Sequence, residues 1–184
     1  MRVVFLDFDG VLNSSRFARE NPTTGTWGLD PSAVRIVSEI CERGAAEVVI
    51  SSSWRIGRSL GQLKDALLEV GFRGTVRGAT PLPEEMCNEQ LATLFEEKGF
   101  HASPQEIRKI VVGYTRGREI DAWLKACPWD IESFVILDDD SDTEPHVGRH
   151  VKTTLAEGIL SEHVEEALRI LETPLKGDWL GDEP

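Results

Sequence analysis

The sequence predicts an α/β fold, in which helices pack on both faces of a doubly wound parallel sheet of about five strands. Short apolar runs rich in Val, Ile and Phe alternate along the chain with longer segments of helical periodicity. These runs are apolar throughout, which is typical of parallel strands buried on both faces. Two of them, at residues 2–6 and 134–137, end directly in aspartates. The alternation therefore predicts the fold class, and the aspartates predict which edge of the sheet carries the chemistry.

The remaining elements follow from local signals along the chain. Asp30 and Pro31 predict the cap and first turn of a helix that Gly44 ends, and the polar stretch 13–30 predicts a long loop over the site. The other predicted elements are a strand over 47–51, a helix over 59–70, a weak strand over 74–78, a helix over 115–125, a strand over 150–154 and a last helix capped by Ser161 and running to about Leu171. This order is that of repeated strand and helix units.

Length and composition predict one soluble domain. The 184 residues are divided into a single domain over 1–172, with a small helical insert near 83–113, and a flexible tail over 173–184. Acidic residues outnumber basic ones by 32 to 20, so a general attraction to nucleic acid is not expected. No apolar run approaches the roughly 20 residues of a membrane span, and the three cysteines have no CxxC spacing, which together predict a cytoplasmic location.

Aspartates end the first and fourth predicted strands. Asp7 and Asp9 follow the first strand, and Gly10 adds a position at which the backbone turns freely. Asp138 and Asp139 follow the fourth strand, with two more aspartates close behind. Carboxylates gathered at one edge of a sheet repel one another unless a cation lies among them. Because Mg²⁺ prefers hard oxygen ligands of this kind, the sequence predicts Mg²⁺ as the cofactor.

Four motifs in this order resemble those of the haloacid dehalogenase (HAD) superfamily of phosphatases. They are FLDFDGVL in the first strand and its turn, VVIS at 48–51, a basic residue within 115–119, and VILDD at 135–139. More narrowly, SSSWR, RGREIDAWL and VILDDDSD resemble a bacterial HAD group that includes domains attached to RNA-repair proteins. The resemblance covers residues 2 to about 153. It implies a Rossmann-like, HAD-like fold, and the short interval between the first two motifs implies that no full cap domain is present.

The resemblance also implies a role for each acid. Asp7 would be the nucleophile that forms an aspartyl-phosphate. Asp9 would protonate the leaving group and then activate water. Mg²⁺ would be held by Asp7, by the backbone carbonyl of Asp9 and by Asp139, with Asp138 in support.

Hydroxyl and basic side chains at the same edge are the candidate phosphate ligands. Ser51 ends the second predicted strand and would bind a phosphoryl oxygen, with Ser52 the alternative if the strand runs one residue further. Arg55 can hold phosphate through two parallel hydrogen bonds. The third-motif base is Arg116, with Arg118 and Lys109 as rivals.

These observations predict a Mg²⁺-dependent phosphomonoesterase, and a site without a cap favours a large substrate such as an RNA or DNA end. The insert near 83–113, with Arg55, Arg58, Arg73 and Arg77 near it, is predicted to form a basic rim for such a substrate. The alternatives are a phosphatase acting on nucleotides or sugar phosphates, and an inert HAD-like binding module. The last would require a lost motif, and none is lost. The sequence does not indicate an oligomeric state.

Overall fold

The computed structural model of the protein describes residues 1–22, 28–82 and 115–175. Five parallel strands form one sheet in the order β3-β2-β1-β4-β5. The strands are β1 (Arg2–Leu6), β2 (Ala46–Ile50), β3 (Val76–Ala79), β4 (Ser133–Asp138) and β5 (His150–Lys152). The predicted α/β class and the parallel sheet are thereby confirmed.

Strand β1 lies at the centre of the sheet, between β2 and β4. From β1 the chain continues outward through β2 to β3, and later returns to the other side of β1 to form β4 and then β5. The strand order therefore reverses between β1 and β4. In open α/β sheets, ligands bind beyond the carboxyl ends of the strands at such a switch point. The two aspartate-bearing strand ends are thus neighbours at the position where this fold usually holds its ligand.

The described residues form five α-helices, and all but the short first one contribute side chains to the two cores that cover the faces of the sheet. They are α1 (Ser15–Glu20), α2 (Pro31–Gly44), α3 (Leu60–Glu69), α4 (Arg116–Ala126) and α5 (His163–Leu171). Alternate residues of β1 point to opposite faces, so Val4 and Leu6 pack in a core with α2, α3 and α5, whereas Val3 and Phe5 pack against α4. Burial on both faces explains why β1 is apolar throughout.

Helix α2 begins and ends where the sequence predicts, although its end has a different cause. The Asp30 side chain accepts a hydrogen bond from Ser32 N at 2.7 Å, and Pro31 occupies the first turn. At the other end the left-handed residue is Ala45, with φ 48°, and not Gly44. A Cβ at Gly44 would lie 2.7 Å from Leu171 Cδ1, so this glycine lets α5 approach α2 closely.

Two local predictions are wrong. The stretch predicted as a loop over 13–30 contains α1, which Ser14 caps by accepting a hydrogen bond from Phe17 N at 3.1 Å. Ser161 does not cap α5, which begins at His163 after Glu162 and has no side-chain cap. Instead, His163 Nδ1 accepts a hydrogen bond from Leu160 N at 2.9 Å, so a ring nitrogen satisfies a backbone donor in this turn.

The predicted helical insert near 83–113 lies outside the described residues, as does most of the predicted tail beyond residue 173. Between Gly10 and β2, the residues that the structure describes form α1 and α2 with short connections, and no cap domain occurs among them. None of the described helices has the length and apolar character needed to cross a membrane.

Candidate active site

Three carboxylates meet where β1 and β4 end. Asp7 directly follows β1, and its backbone N–H donates to Leu137 O at 3.0 Å, which ties the two strand ends together. Asp138 is the last residue of β4, and Asp139 follows it. One carboxylate oxygen from each of the three side chains lies within 4.8 Å of the others. The convergence of acids predicted from the sequence is therefore present in the fold.

The turn after β1 is shaped around Asp139. Gly10 has φ +67°, and a Cβ built on it would lie 2.2 Å from Asp139 Cγ. Only a glycine at this position leaves room for that carboxylate. The Gly10 carbonyl accepts a hydrogen bond from Thr153 Oγ1 at 2.6 Å, which anchors the turn to the segment following β5.

The carboxylates are difficult to ionise without a further positive charge. Burial raises the pKa of Asp7 to about 6; Arg116 opposes this rise, and the charge of Asp138 adds to it. Burial also raises the pKa of Asp138, against the attraction of Arg116. For Asp139, burial and the neighbouring charges of Asp7 and Asp140 raise the pKa. A cation among these oxygens would relieve all three effects.

Asp9 lies at the same edge but faces a different set of partners. Its Oδ1 accepts hydrogen bonds from Trp54 Nε1 at 3.0 Å and from Asn13 Nδ2 at 2.8 Å. Asn13 Oδ1 in turn accepts from Gly10 N at 3.0 Å. Sequence reasoning did not assign Trp54 or Asn13 to the site. The signals in the sequence were that Trp54 lies within SSSWR and that Asn13 directly follows FLDFDGVL, but nothing local shows that the indole reaches the turn after β1.

Arg116 is brought to the acids from the start of α4. Asp142 Oδ2 accepts a hydrogen bond from Arg116 N at 3.1 Å, so the loop after β4 holds the start of the helix. The guanidinium is buried; its Nε donates to Asp138 Oδ2 at 2.9 Å, and its Nη2 lies 3.5 Å from Asp7 Oδ2. Burial opposes the charge, but the carboxylates of Asp7, Glu119 and Asp138 outweigh burial and raise the pKa of Arg116.

The rivals of Arg116 are placed differently. Arg118 is exposed two residues further along α4, and its backbone N–H binds the Thr115 cap. Lys109 lies outside the described residues. Arg116 is therefore the basic residue of this segment that the described structure places beside Asp7.

Both candidate serines are buried at the end of β2, but they face different groups. The strand ends at Ile50, one residue earlier than predicted. A hydrogen bond from the Ser52 side chain to the Asp7 carboxylate lowers the pKa of Asp7. The hydroxyl of Ser51 lies 3.5 Å from Thr80 Oγ1, at the end of the neighbouring strand β3. Of the two, Ser52 has the direct contact with the candidate nucleophile.

The four arginines of the predicted basic rim lie in different places, and the insert predicted to form the rim with them lies outside the described residues. Arg55 is buried, donating to backbone carbonyls and to the carboxylate of Glu119. Arg77 forms a salt bridge with Glu47. Arg73 lines a hollow together with residues at the start of β2. This hollow lies at the amino-terminal ends of the strands, whereas the acids lie at the carboxyl ends. Arg58 stays near the site, with its guanidinium 5.0 Å from the ring centroid of Trp54.

Comparison with known families agrees with this geometry. A family described as the HAD domain in Swiss Army Knife RNA repair proteins matches residues 3–164 of the chain. The chain belongs to this family. As a HAD domain it is placed in a superfamily of phosphatase-type and other hydrolases, which agrees with the acidic edge at β1 and β4. Searches of curated proteins and of solved structures find no significant match.

The donor set of this HAD domain fits a small divalent cation. Asp7, Asp138 and Asp139 supply oxygen ligands within 4.8 Å of one another, and hard oxygen ligands are those that Mg²⁺ prefers. The turn at Gly10 is built so that the Asp139 carboxylate can occupy this space. The Asp9 carboxylate is not part of this group, and the predicted contact from its backbone carbonyl stays a prediction.

Proposed function

We propose that the protein is a Mg²⁺-dependent phosphomonoesterase that acts through an aspartyl-phosphate on Asp7. The observation that carries the proposal is the convergence of Asp7, Asp138 and Asp139 beside Arg116, with Asp9 held separately by Trp54. One edge of the sheet thus offers a nucleophile, cation ligands, a phosphate-binding cation and a second acid. The alternative is a phosphatase of small phosphorylated molecules that uses the same chemistry.

In the proposed reaction, a carboxylate oxygen of Asp7 attacks phosphorus, and the bond from phosphorus to the leaving oxygen breaks. Asp9 gives its proton to that oxygen. Because Oδ1 of Asp9 already accepts two N–H groups, the proton is carried on Oδ2. Asp9 then takes a proton from water as the water attacks phosphorus, which releases phosphate and restores the Asp7 carboxylate.

The remaining site residues would stabilise the negative charge of the phosphate. Asp7, Asp138 and Asp139 would hold Mg²⁺, whose positive charge would reduce the repulsion between the nucleophile and the phosphate. The Nη2 atom of Arg116 faces Asp7 and would donate a hydrogen bond to a phosphoryl oxygen. Negative charge develops on the phosphoryl oxygens in the transition state. Ser52 would donate to a second oxygen, and Ser51 is the alternative.

The test is turnover of p-nitrophenyl phosphate with Mg²⁺ and with excess chelator. We expect activity with Mg²⁺ only, and no turnover or covalent phosphate with Asp7→Asn, because an amide is a poor nucleophile. Asp140→Asn is the matched control, since this exposed acid follows Asp139 without belonging to the group of three carboxylates, and its side chain accepts a hydrogen bond from Ser141 N. Full activity in chelator, or a phosphoenzyme on Asp7→Asn, would contradict the proposal.

For the substrate we propose a phosphorylated end of RNA or DNA. The family description names RNA repair proteins, which supports this class. A hollow of about 520 Å³ opens beside the site, and exposed Arg58 lines it together with Thr80 and Trp123. Such a hollow offers the exposed Arg58 cation and the ring of Trp123 to the part of the substrate beyond the reacting phosphate.

The substrate test compares a 3′- or 5′-phosphorylated oligonucleotide with the matching mononucleotide. We expect a higher kcat/KM for the oligonucleotide and loss of this advantage as salt rises. Arg58→Gln should reduce kcat/KM more for the oligonucleotide than for the mononucleotide. Arg73→Gln is the control, because Arg73 lies near the amino-terminal ends of the strands, away from the acids. Equal efficiency on the mononucleotide at low salt would leave a small-molecule phosphatase.

A further inference from the structure

A buried carboxylate outside the acidic edge joins two buried arginines. Glu119 lies one turn after Arg116 on α4, with its side chain 1% exposed. Its Oε2 accepts hydrogen bonds from Arg116 Nη1 and from Arg55 Nη2, both at 2.7 Å. Thr80 Oγ1 lies 3.4 Å from the same oxygen. Glu119 therefore places a negative charge between two buried guanidinium groups.

Glu119 helps to fix the orientation of the Arg116 guanidinium. Nη1 is held by Glu119 and Nε by Asp138, and the group is planar and rigid. With two of its three nitrogens held, the direction of Nη2 is set, and Nη2 is the nitrogen that faces Asp7 at 3.5 Å. This contact is the longest of the three, so Nη2 is also the nitrogen most available to donate a hydrogen bond to a phosphoryl oxygen.

Arg55 links the same carboxylate to two strand ends. Its Nε donates to Ser52 O at 2.6 Å, and its Nη1 donates to Pro81 O at 2.9 Å and to Thr80 O. Loss of the Glu119 charge would leave two buried cations without the carboxylate that they share, which is strongly unfavourable. Both guanidinium groups would then be held less firmly, and the support that Arg55 gives to the backbone of Ser52 would weaken with them.

We propose that Glu119 is a positioning residue for phosphate binding, which acts through Arg116 and, by way of Arg55, on the segment that carries Ser52. The inference rests on the proposed phosphatase function, because Arg116 is the phosphate-binding cation in that function. It also gives Arg55 a place in the site: Arg55 supports Glu119 and the backbone of Ser52 instead of contacting phosphate directly.

The experiment measures the inhibition constant of inorganic phosphate against p-nitrophenyl phosphate turnover in Mg²⁺. Glu119→Gln should raise this constant about tenfold, since the loss of one charge-assisted hydrogen bond to phosphate is of that order. An inhibition constant does not depend on how many molecules are folded, so a purely structural role would leave it unchanged. Glu47→Gln is the matched control, because it removes the carboxylate of another arginine pair, that with Arg77, away from the site.

A double-mutant cycle shows whether Glu119 acts through Arg116. Arg116→Lys should raise the inhibition constant by itself, and adding Glu119→Gln to it should raise the constant by less than the tenfold expected in the wild type, because only the route through Arg55 remains. Effects of the two substitutions that simply multiply would overturn the proposal. Glu119→Asp serves if Glu119→Gln does not fold: it keeps the charge but withdraws the carboxylate by one methylene, so an inhibition constant equal to that of the wild type would also overturn it.

The two proposals can fail separately. Turnover by the unmodified protein is measured first and tests the proposed phosphatase function by itself. Its absence removes that function and this inference with it. An active enzyme in which Glu119→Gln retains the wild-type inhibition constant removes the inference alone.

Discussion

Replacing Asp7 by Asn should stabilise the metal-free protein at neutral pH while abolishing its proposed activity. Burial raises the pKa of Asp7 from 3.8 to about 6. The folded protein therefore binds more protons at this site than the unfolded chain does between these two values. The stability associated with the protonated side chain is fully present below pH 3.8 and is lost as the pH rises through about 6.

The size of the effect follows from the same pKa shift. A difference of about two pKa units corresponds to roughly 3 kcal/mol of unfolding free energy. Asn is neutral at every pH and has nearly the shape of the protonated acid, so Asp7→Asn should be more stable than the wild type by up to about 3 kcal/mol at pH 7.5. Near pH 4 the difference should be below about 1 kcal/mol.

Urea unfolding in excess chelator at the two pH values measures this difference. Asp140→Asn removes a charge from an exposed side chain beside Asp139 and controls for the loss of one negative charge near the three carboxylates. Adding Mg²⁺ should favour the wild type, because ligand binding stabilises the folded state and the variant has lost one of three carboxylates. An Asp7→Asn protein no more stable than the wild type at pH 7.5 in chelator would refute this reasoning.

Three further substitutions test how the site is built. Trp54→Phe removes the indole N–H bound to Asp9 and should lower kcat about tenfold in a phosphatase assay, whereas an unchanged kcat would show that this bond does not position the acid. Gly10→Ala places a Cβ 2.2 Å from Asp139 Cγ and should weaken Mg²⁺ binding in calorimetric titration; unaltered affinity would contradict the proposed ligand role. Gly117→Ala directs a Cβ to within 1.9 Å of a backbone carbonyl after β4, so urea unfolding should show a loss of about 1–3 kcal/mol, and no loss would show that the loop can move away.

The sequence by itself determined the features that depend on short stretches of chain. The apolar run before Asp7 predicts a buried parallel strand, because each of its residues must face one of two cores. Asp30 predicts a helix start, because a cap bonds to a backbone group only two residues away. The meeting of Asp7 with Asp138 also follows, since both end parallel strands and such strands share one ligand-bearing edge.

Only the tertiary structure decided how the buried polar groups are paired. Trp54 reaches Asp9 across 45 residues of chain, and Arg55 reaches Glu119 across 64. Sequence reasoning therefore placed Arg55 on the substrate and did not notice Glu119, which resembles any acid in the first turn of a helix. A charge withdrawn from water must bind whatever opposite charge the packed helices and strands bring beside it, and that neighbour is set by three-dimensional packing and not by spacing along the chain.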